Sequence, residues 1–356
     1  MTTRIGVAGG GTFGELHLQT FTQLEREGRC IMGGLADPSE QTRTRRAAQY
    51  GVRTYADVRE MIDREKLDAV SVATPDPAHL PVVLAALEAG CHVLVEKPMD
   101  TTVEGCTRMV DAARAGDLLL QVDFHKRFDP YHASVREAVA AGRVGEPLYG
   151  YAWMEDRIEV PSRWFPGWAP MSSPAWFLGS HMVDLFRWLV GGPRATRVYA
   201  TGARRRLAAM GVDTWDSLNA RIEFHGGISF ALDTSWILPD GFEAVVNQGI
   251  RLVGTEGIVE VDSQDRGARA CYRGATSQTF NPGFQHLGTD PAGHPRYEGY
   301  GYTSIADFAD NIAYLKQGGT LESLRGRYPD GEDGLEVTRI LCAIHESAEN
   351  GRIVEL

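Results

Sequence analysis

From residue 4 to about residue 122 the chain alternates short, nearly continuous apolar runs with longer segments whose apolar positions recur at helical spacing. Arg4-Ile5-Gly6-Val7-Ala8 predicts a strand that stops at Gly9-Gly10-Gly11, and Phe13, Leu16 and Phe21 then resume at helical spacing. A second apolar run over 31–36 ends in Asp37, and Pro38-Ser39 signals a polar helix to residue 50. A short helix over 56–64 precedes a strand over 69–73, which ends at Thr74-Pro75. A helix over 80–88 stops at Gly90, a strand over 92–95 ends in Glu96-Lys97-Pro98, and a helix over 103–115 and a strand over 118–122 complete the series. Apolar strands separated by helices predict a parallel sheet covered on both faces. Ligands of such sheets lie at the carboxyl ends of the strands, where Gly9, Asp37, Thr74, Lys97 and the segment 123–127 all fall.

After a connecting helix over 129–141, ending at Gly142, the pattern changes. Segments 148–154, 196–201, 217–224, 228–235, 249–253 and 257–261 are strand-like, with turns such as His225-Gly226-Gly227 and Thr255-Glu256-Gly257. Strands that follow one another without helices predict a mainly antiparallel sheet, and so a second domain of α+β type. One helix interrupts it: Ser173 is a good N-cap, Pro174 suits the first helical position, and the helix runs through Phe177, His181, Leu185 and Trp188 to Gly191-Gly192. Segment 268–302, rich in Gly, Pro and aromatics, reads as a long irregular loop over a ligand or a partner subunit. A helix over 334–349 and a strand over 352–355 close the chain. Two domains are expected, a Rossmann dinucleotide-binding domain over 1–122 and the α+β domain over 123–356, with the last helix and strand packing back near the junction.

Gly9, Gly11 and Gly14 form G-x-G-x-x-G in the first turn. The first glycine makes the tight turn, the second lets the backbone approach a pyrophosphate, and the third lets helix pack on strand. The N–H groups and dipole at the helix start hold the phosphates. The turn follows a strand and opens a helix, and Asp37 lies 23 residues past the third glycine. That is close to the ~20 expected of the acid that binds a ribose hydroxyl. The alternative is a glycine-rich turn in a plain α/β protein. A carboxylate here repels a 2′-phosphate, so NAD is expected over NADP, with Arg43, Arg45 and Arg46 near enough to soften the preference.

A net charge of −11 and a pI near 5.4 argue against a nucleic-acid surface or a basic membrane patch. No run of ~18 apolar residues exists to span a membrane. Met1-Thr2-Thr3-Arg4 leads straight into a strand, leaving no room for a signal peptide. Cys30, Cys91, Cys106, Cys271 and Cys342 show no C-x-x-C and read as reduced, buried thiols of a cytoplasmic protein rather than disulfides or metal ligands. Only four lysines stand against 32 arginines. A lysine kept where arginine would otherwise serve suggests a titratable donor beside a carbonyl. Lys97 and Lys126 both fall at carboxyl ends of strands, where the plain alternative is a solvated charge.

Gly9-x-Gly11-x-x-Gly14 with His17, Thr74-Pro75 with His79, Glu96-Lys97-Pro98, Arg127-Phe128-Asp129-Pro130 and Gly179-x-His181-x-x-Asp184 together resemble the Gfo/Idh/MocA oxidoreductases, named for glucose-fructose oxidoreductase and inositol dehydrogenase. The resemblance covers essentially the whole chain. It implies a Rossmann domain plus an open-faced sheet domain, a nicotinamide cofactor, a sugar or polyol substrate, and a homodimer or homotetramer assembled through the sheets. It places the cofactor on Gly9, Gly11, Thr12, Phe13, Gly14 and Asp37, and on Thr74, Pro75, His79, Glu96 and Lys97. Two departures stand out. Asp76 replaces the frequent Asn after Thr-Pro, and Phe177 stands where many members carry the Asp of D-x-x-x-H, so the carboxylate one turn before His181 is missing. Asp184 either takes over part of that orienting role or simply stabilises the helix.

Hydride transfer at a substrate carbon needs a proton carrier on the attached oxygen, and His181 is the natural group to titrate near neutrality, with Lys97 polarising that oxygen. Both are the candidate catalytic residues. His125, Lys126, Arg127, Trp153, Arg163, Trp176 and Phe177 join them as candidate substrate contacts, since aromatics interleaved with charges suit a carbohydrate. Tryptophans of a sheet-domain core are the alternative for at least half of the aromatics. Three functions follow: a dehydrogenase or reductase acting on a sugar or polyol, a glycoside-cleaving enzyme that uses NAD for transient oxidation and elimination, or a catalytically silent dinucleotide-binding protein.

Overall fold

The computed structural model describes residues 2–262, 267–270 and 277–356. The chain divides into two compact units, Met1–His125 with Phe284–Leu335, and Lys126–Gly283 with Glu336–Leu356.

In the first unit, strand and helix alternate as the apolar pattern predicts: β1 (Thr3–Ala8), α1 (Thr12–Arg26), β2 (Cys30–Ala36), α2 (Glu40–Tyr50), β3 (Thr54–Tyr55), α3 (Val58–Glu65), β4 (Ala69–Val72), α4 (His79–Glu88), β5 (His92–Val95), α5 (Val103–Ala115) and β6 (Leu120–Val122). The strands form one sheet in the order β3-β2-β1-β4-β5-β6, all pairs parallel. The order reverses between β1 and β4, the crevice where such sheets bind dinucleotides. Side-chain caps set three helix starts. Ser39 Oγ accepts from Thr42 N at 3.2 Å, Asp57 Oδ1 from Glu60 N at 3.1 Å, and Thr102 Oγ1 from Gly105 N at 3.0 Å.

Segment 284–335 joins this unit, a grouping that the linear pattern does not suggest. The helix Tyr300–Lys316 lies partly inside the stretch expected to be loop. Ile305, Phe308, Ala309 and Ile312, spaced one and two turns apart, bury themselves with Ile5, Leu18 and Phe21 in one core. The expected loop also holds two hairpins, Ala268–Ala270 with Gln278–Phe280 and His286–Thr289 with Pro295–Glu298. The second is tied to α1 by Gln23, whose Oε1 accepts from Tyr297 N at 2.7 Å. Cys30, Cys91 and Cys106 are buried free thiols and Cys342 is half-buried, while Cys271 lies outside the described residues. Burial pushes the Cys30 thiol up to about 12 and that of Cys91 up to about 11, so neither is a ready nucleophile.

The second unit is built on a seven-stranded sheet. After α6 (Pro130–Ala140) come β7 (Pro147–Arg157), α7 (Ser180–Leu189), β8 (Ala195–Ala203), β9 (Ser217–Phe224), β10 (Ser229–Leu238), β11 (Val246–Gly254) and β12 (Ile258–Asp262). The order is β12-β11-β7-β10-β9-β8 and then the last strand, Val354–Glu355. Every pair is antiparallel except β7 with β10. Alternation divides the faces: Ala152, Met154, Leu232 and Thr234 are buried beneath the helical layer, whereas Tyr149, Tyr151 and Tyr199 are exposed on the other side. Phe186 of α7 stacks on Phe230 at 4.1 Å, and a Cβ on Gly150 would lie 2.2 Å from the Phe186 ring, so glycine is required where helix meets strand.

The helix carrying His181 differs from the expected regular one. Ser173 caps it as anticipated, accepting from Trp176 N at 3.1 Å, but Ala175–Gly179 forms a π-helical turn before α7 begins at Ser180. Such wide turns are frequent at functional sites.

Candidate functional site

The glycine turn has the close approaches its pattern requires. Gly9 adopts φ +95°, and a Cβ there would lie 2.4 Å from the Ala73 carbonyl. A Cβ on Gly14 would lie 1.9 Å from the Gly9 carbonyl, whereas nothing lies within 4 Å of the corresponding point on Gly11. The start of α1, at Gly11, has no side-chain cap, and helix starts of this kind offer first-turn N–H groups to anions. Asp37 Oδ2 accepts from Gly10 N at 2.7 Å and Oδ1 from Ser39 N at 2.8 Å, fixing the carboxylate beside the turn. Arg46, buried, donates to the Gly10 and Gly11 carbonyls at 2.9 and 3.1 Å and pairs with Glu15 at 2.7 Å. Arg43 donates to the carbonyls of Asp37 and Pro38. Arg46 thus braces the glycine turn and Arg43 the segment after β2, while Arg45 is exposed. The uncapped helix start, the open point at Gly11 and the fixed carboxylate fit NAD. Thr74 and Pro75 follow β4, and Thr74 Oγ1 is a buried hydroxyl with no hydrogen-bond partner among the described residues.

Lys97, buried, follows β5, with Nζ 5.7 Å from the centre of the Phe13 ring. His79 braces this region: Nδ1 lies 2.9 Å from the Pro98 carbonyl and Nε2 2.8 Å from the Thr74 carbonyl. Asp76, also buried, opens the short turn Asp76–Ala78. The Glu96 side chain turns inward, where Oε1 accepts from His17 Nε2 at 3.1 Å and Oε2 from Lys97 N at 3.1 Å. His17 Nδ1 lies 2.7 Å from Ser71 Oγ. His17 Nε2 also lies 4.0 Å from Asp123 Oδ2, and Asp123 Oδ1 accepts from the Ser304 hydroxyl. Although burial opposes it, the hydrogen bond and charge of His17, with Lys97, hold the Glu96 carboxyl well below the usual range. Burial, then the charge of Glu96, pushes Asp123 up to about 7. Ligand atoms of His17, Glu96 and Asp123 lie within 4.8 Å of one another, close enough for a metal, but all three take part in hydrogen bonds of their own. The sequence placed Asp123 only within the strand-end segment 123–127 and singled out neither Ser71 nor Ser304; for Ser71 the available signal was a serine inside an otherwise apolar strand. His125 stacks on Tyr300, with ring centres 5.7 Å apart, and meets the tilted Phe284 ring at 5.0 Å.

In the second unit, His181 lies buried in the first turn of α7. Phe177, on the π turn, meets Trp168 edge-on at 5.0 Å and lies 6.3 Å from Trp236. Asp184 is held by Arg127 in a two-point ion pair, with Nε donating to Oδ2 at 2.9 Å. Arg127, a candidate substrate contact, is therefore committed to α7. Lys126 is buried and donates to Gln248 Oε1, a partner the sequence did not single out. Trp176 stacks on His345 at 4.9 Å. His345 faces Ser173 Oγ through Nε2 at 2.8 Å and the Leu341 carbonyl through Nδ1, and burial lowers its pKa. Arg163 pairs with Glu159 and Asp240 in solvent. Trp153 stacks on Tyr151 at 5.6 Å, and its place on β7 puts it on the face of the sheet opposite the helix that carries His181.

A Rossmann sheet with a glycine turn and an acid fixed beside it at the end of β2, in a chain with an open-faced second sheet, defines a nicotinamide-dependent oxidoreductase. Residues 3–124 match the oxidoreductase family with an NAD-binding Rossmann fold, and residues 132–260 match the GFO/IDH/MocA C-terminal domain. The chain belongs to the Gfo/Idh/MocA oxidoreductase family and is an NAD-binding oxidoreductase. It is 30% identical over 332 residues to the D-glucoside 3-dehydrogenase of Escherichia coli K12, covering 87% of this chain and 86% of that one. It is 27% identical over 333 residues to the inositol 2-dehydrogenase of Rubrobacter xylanophilus, covering 88% and 91%. Among solved structures, GenD2 from gentamicin A biosynthesis, in complex with NAD, shares the fold with TM-score 0.81 at 24% identity, over 100% of this chain and 96% of that one. The myo-inositol 2-dehydrogenase of Lactobacillus plantarum does so with TM-score 0.80 at 18% identity, over 100% of both chains. Among the described residues no helix is long and apolar enough to cross a membrane.

Proposed function

We propose that this chain oxidises a ring CH–OH group of a sugar derivative or cyclic polyol, with Lys97 polarising the substrate oxygen and His181 accepting its proton. The observation that carries the reading is Lys97, buried after β5, with its ammonium over the ring of Phe13, the second residue of the glycine-turn helix. NAD, when bound, supplies the hydride acceptor. Asp37 reads the ribose hydroxyls, and Arg43 and Arg46 are already taken up by backbone carbonyls, of Asp37 and Pro38 and of Gly10 and Gly11, which supports NAD over NADP. Relatives that act on inositol and on a D-glucoside support a ring polyol or sugar as substrate. The half-buried aromatic pair Phe177 and Trp168, backed by the buried Trp236, favours the glycoside class, whose aglycone or ring face an aromatic surface accepts.

Exposed Tyr149, Tyr151, Tyr199 and Ile258 on the second sheet and its edge strand support self-association as a homodimer or homotetramer, which sedimentation equilibrium measures. Buried free thiols favour a reducing, cytoplasmic setting.

The test is incubation of the purified protein and NAD with glycosides, free sugars and inositols, following reduced-cofactor absorbance and product masses together. The reading expects absorbance to rise and the product to lose two hydrogens. Cleaved product without net reduced cofactor means transient oxidation and elimination instead. No turnover on any member of a broad panel means a silent binding protein.

A further inference from the structure

The last helix, Gly331–Asn350, meets the segment that opens the His181 helix through His345. His345 Nδ1 lies 2.7 Å from the Leu341 carbonyl, one turn back, and Nε2 lies 2.8 Å from Ser173 Oγ. A carbonyl only accepts, so Nδ1 carries the ring hydrogen, and Nε2 of the neutral ring is an acceptor. The Ser173 hydroxyl therefore donates to Nε2, while its oxygen accepts from Trp176 N at 3.1 Å. The Trp176 ring stacks on the same imidazole, with centres 4.9 Å apart and planes 17° from parallel. One directed chain of donors thus runs from Trp176 N through Ser173 and His345 to the Leu341 carbonyl, and only this tautomer permits it. Burial disfavours a charge on the ring, and the charged groups that face it, Glu349 of the same helix and Arg204 after β8, oppose one another. The helix behind His345 is itself anchored, since Ser347 Oγ accepts from Ala200 N at 2.8 Å and donates to the Arg352 carbonyl at 2.6 Å.

We propose that His345 is a positioning residue for His181, a fixed acceptor that locks the Ser173 hydroxyl and with it the wide turn from which α7 starts. Its importance for turnover rests on the reading that His181 accepts the substrate proton. The path from one histidine to the other is short. Ser173 also holds Phe177 N at its carbonyl, 2.9 Å away, and the carbonyl of Ser172 before it accepts from the Thr214 hydroxyl at 2.8 Å. Across the π turn Ser180 N returns to the Ala175 carbonyl, and His181 is the next residue. A turn that closes five residues back instead of four carries one residue more than an α turn, and one residue rotates the helix that follows by about 100°. The direction in which His181 leaves the helix therefore depends on this turn holding its form. Ser173 is 1% exposed, so a lost acceptor strands its hydroxyl where water does not replace it.

The test begins on the parent protein and needs no substrate. Long-range ¹H–¹⁵N spectra of histidine-labelled protein at neutral pH, free and saturated with NAD, are expected to show His345 with a protonated Nδ1 and a bare Nε2, with His345→Gln identifying its signals. An Nε2–H ring or an imidazolium there overturns the proposal. His345→Phe keeps a ring against Trp176 but removes the acceptor, and Ser173→Ala removes the hydroxyl from the other side. Each is expected to move the ring signals of His181, identified by their loss in His181→Ala, and to leave those of His79 in the first unit and His225 in the second in place, which a general loosening does not do. His345→Gln, whose amide oxygen accepts from Ser173 and whose amide N–H donates to Leu341, is expected to return His181 to its parent signals. His181 signals unmoved in whichever of Ser173→Ala and His345→Phe folds overturn the proposal. On a sugar or polyol that the parent oxidises, kcat in these two variants is expected to fall about tenfold with NAD binding unchanged, within the ~10²-fold that a 1 Å misplacement costs. Moved signals beside a fully active His181→Ala remove the catalytic reading of His181 and not the coupling, and unmoved signals beside an inactive His181→Ala do the reverse.

Discussion

Arg127 grips Asp184 at two points, with both side chains nearly inaccessible, at 8% and 1% exposure. The carboxylate one turn after His181 is thereby spent on joining the segment His125–Phe128 to α7. Breaking such a pair by removing one partner leaves a buried charge without its counter-charge. Asp184→Asn or Arg127→Ala is expected to destabilise the fold by about 3–5 kcal/mol, and replacing both by apolar residues of similar size by much less. Urea denaturation of the two single variants and the double variant measures this, and equal losses in all three contradict it.

On the proposed roles of Lys97 and His181 at the substrate oxygen, Lys97→Ala and His181→Ala are each expected to lower turnover on the order of 10²- to 10⁴-fold while leaving the NAD dissociation constant nearly unchanged. Steady-state kinetics with a fluorescence titration of NAD separates the two effects. Near-normal turnover in His181→Ala makes that residue structural.

Phe177 meets Trp168 in a T-shaped contact one turn before His181, the position where the family pattern implies a carboxylate. Phe177→Asp introduces a negative charge that favours protonated His181, so the acidic limb of the pH–rate profile is expected to move to higher pH. Circular dichroism first establishes that the variant folds, since the substitution also opens the aromatic cluster. A folded variant whose profile overlays the parent's shows that His181 does not carry the proton.

Asp37→Ser is expected to relax the cofactor preference by weakening NAD binding and strengthening NADP binding. Because Arg43 already donates to the Asp37 and Pro38 carbonyls and Arg46 to those of Gly10 and Gly11, NADP should remain the weaker ligand for the parent protein. Isothermal titration with both cofactors decides, and equal affinities in the parent show that Asp37 does not read the ribose.

Burial pushes the Asp307 carboxyl up to about 6, against hydrogen bonds from Gln121 and Asn311. The folded protein therefore keeps a proton there that the unfolded chain has released above ~4, so this group lowers stability as pH rises from about 4 to 6. Asp307→Asn removes that dependence. Relative to the parent it should gain on the order of 1–3 kcal/mol between pH 4.5 and pH 7.5 in urea titrations. A difference independent of pH rules this out.

The first unit's sheet was legible because its signals are local. An apolar run, a glycine that stops it and a cap residue that opens the next helix all act within a few residues, and β1 to α5 follow that pattern. The same holds for Ser173 as a cap and for the period-2 alternation of β7, β9 and β10. The helix Tyr300–Lys316 carried a readable stripe through Ile305, Phe308 and Ile312, but the Gly- and Pro-rich stretch before it masked its start. Its assignment to the first unit rests on packing against α1, far away in sequence.

What tertiary structure alone decided are the pairings of polar groups. His17 meets Glu96 across 79 positions, Asp123 meets Ser304 across 181, and Arg127 meets Asp184 across 57. No periodicity encodes such partners. A buried polar atom must be satisfied, yet any of several donors meets that demand, and the fold selects which one comes within reach. The residue types told that Lys97, Asp37 and the glycines bear on chemistry. That Asp184 is spent on Arg127, that Trp153 faces away from the His181 helix, and that Asp123 shares an imidazole with Glu96 follow from chain crossings that set distant side chains 3–4 Å apart.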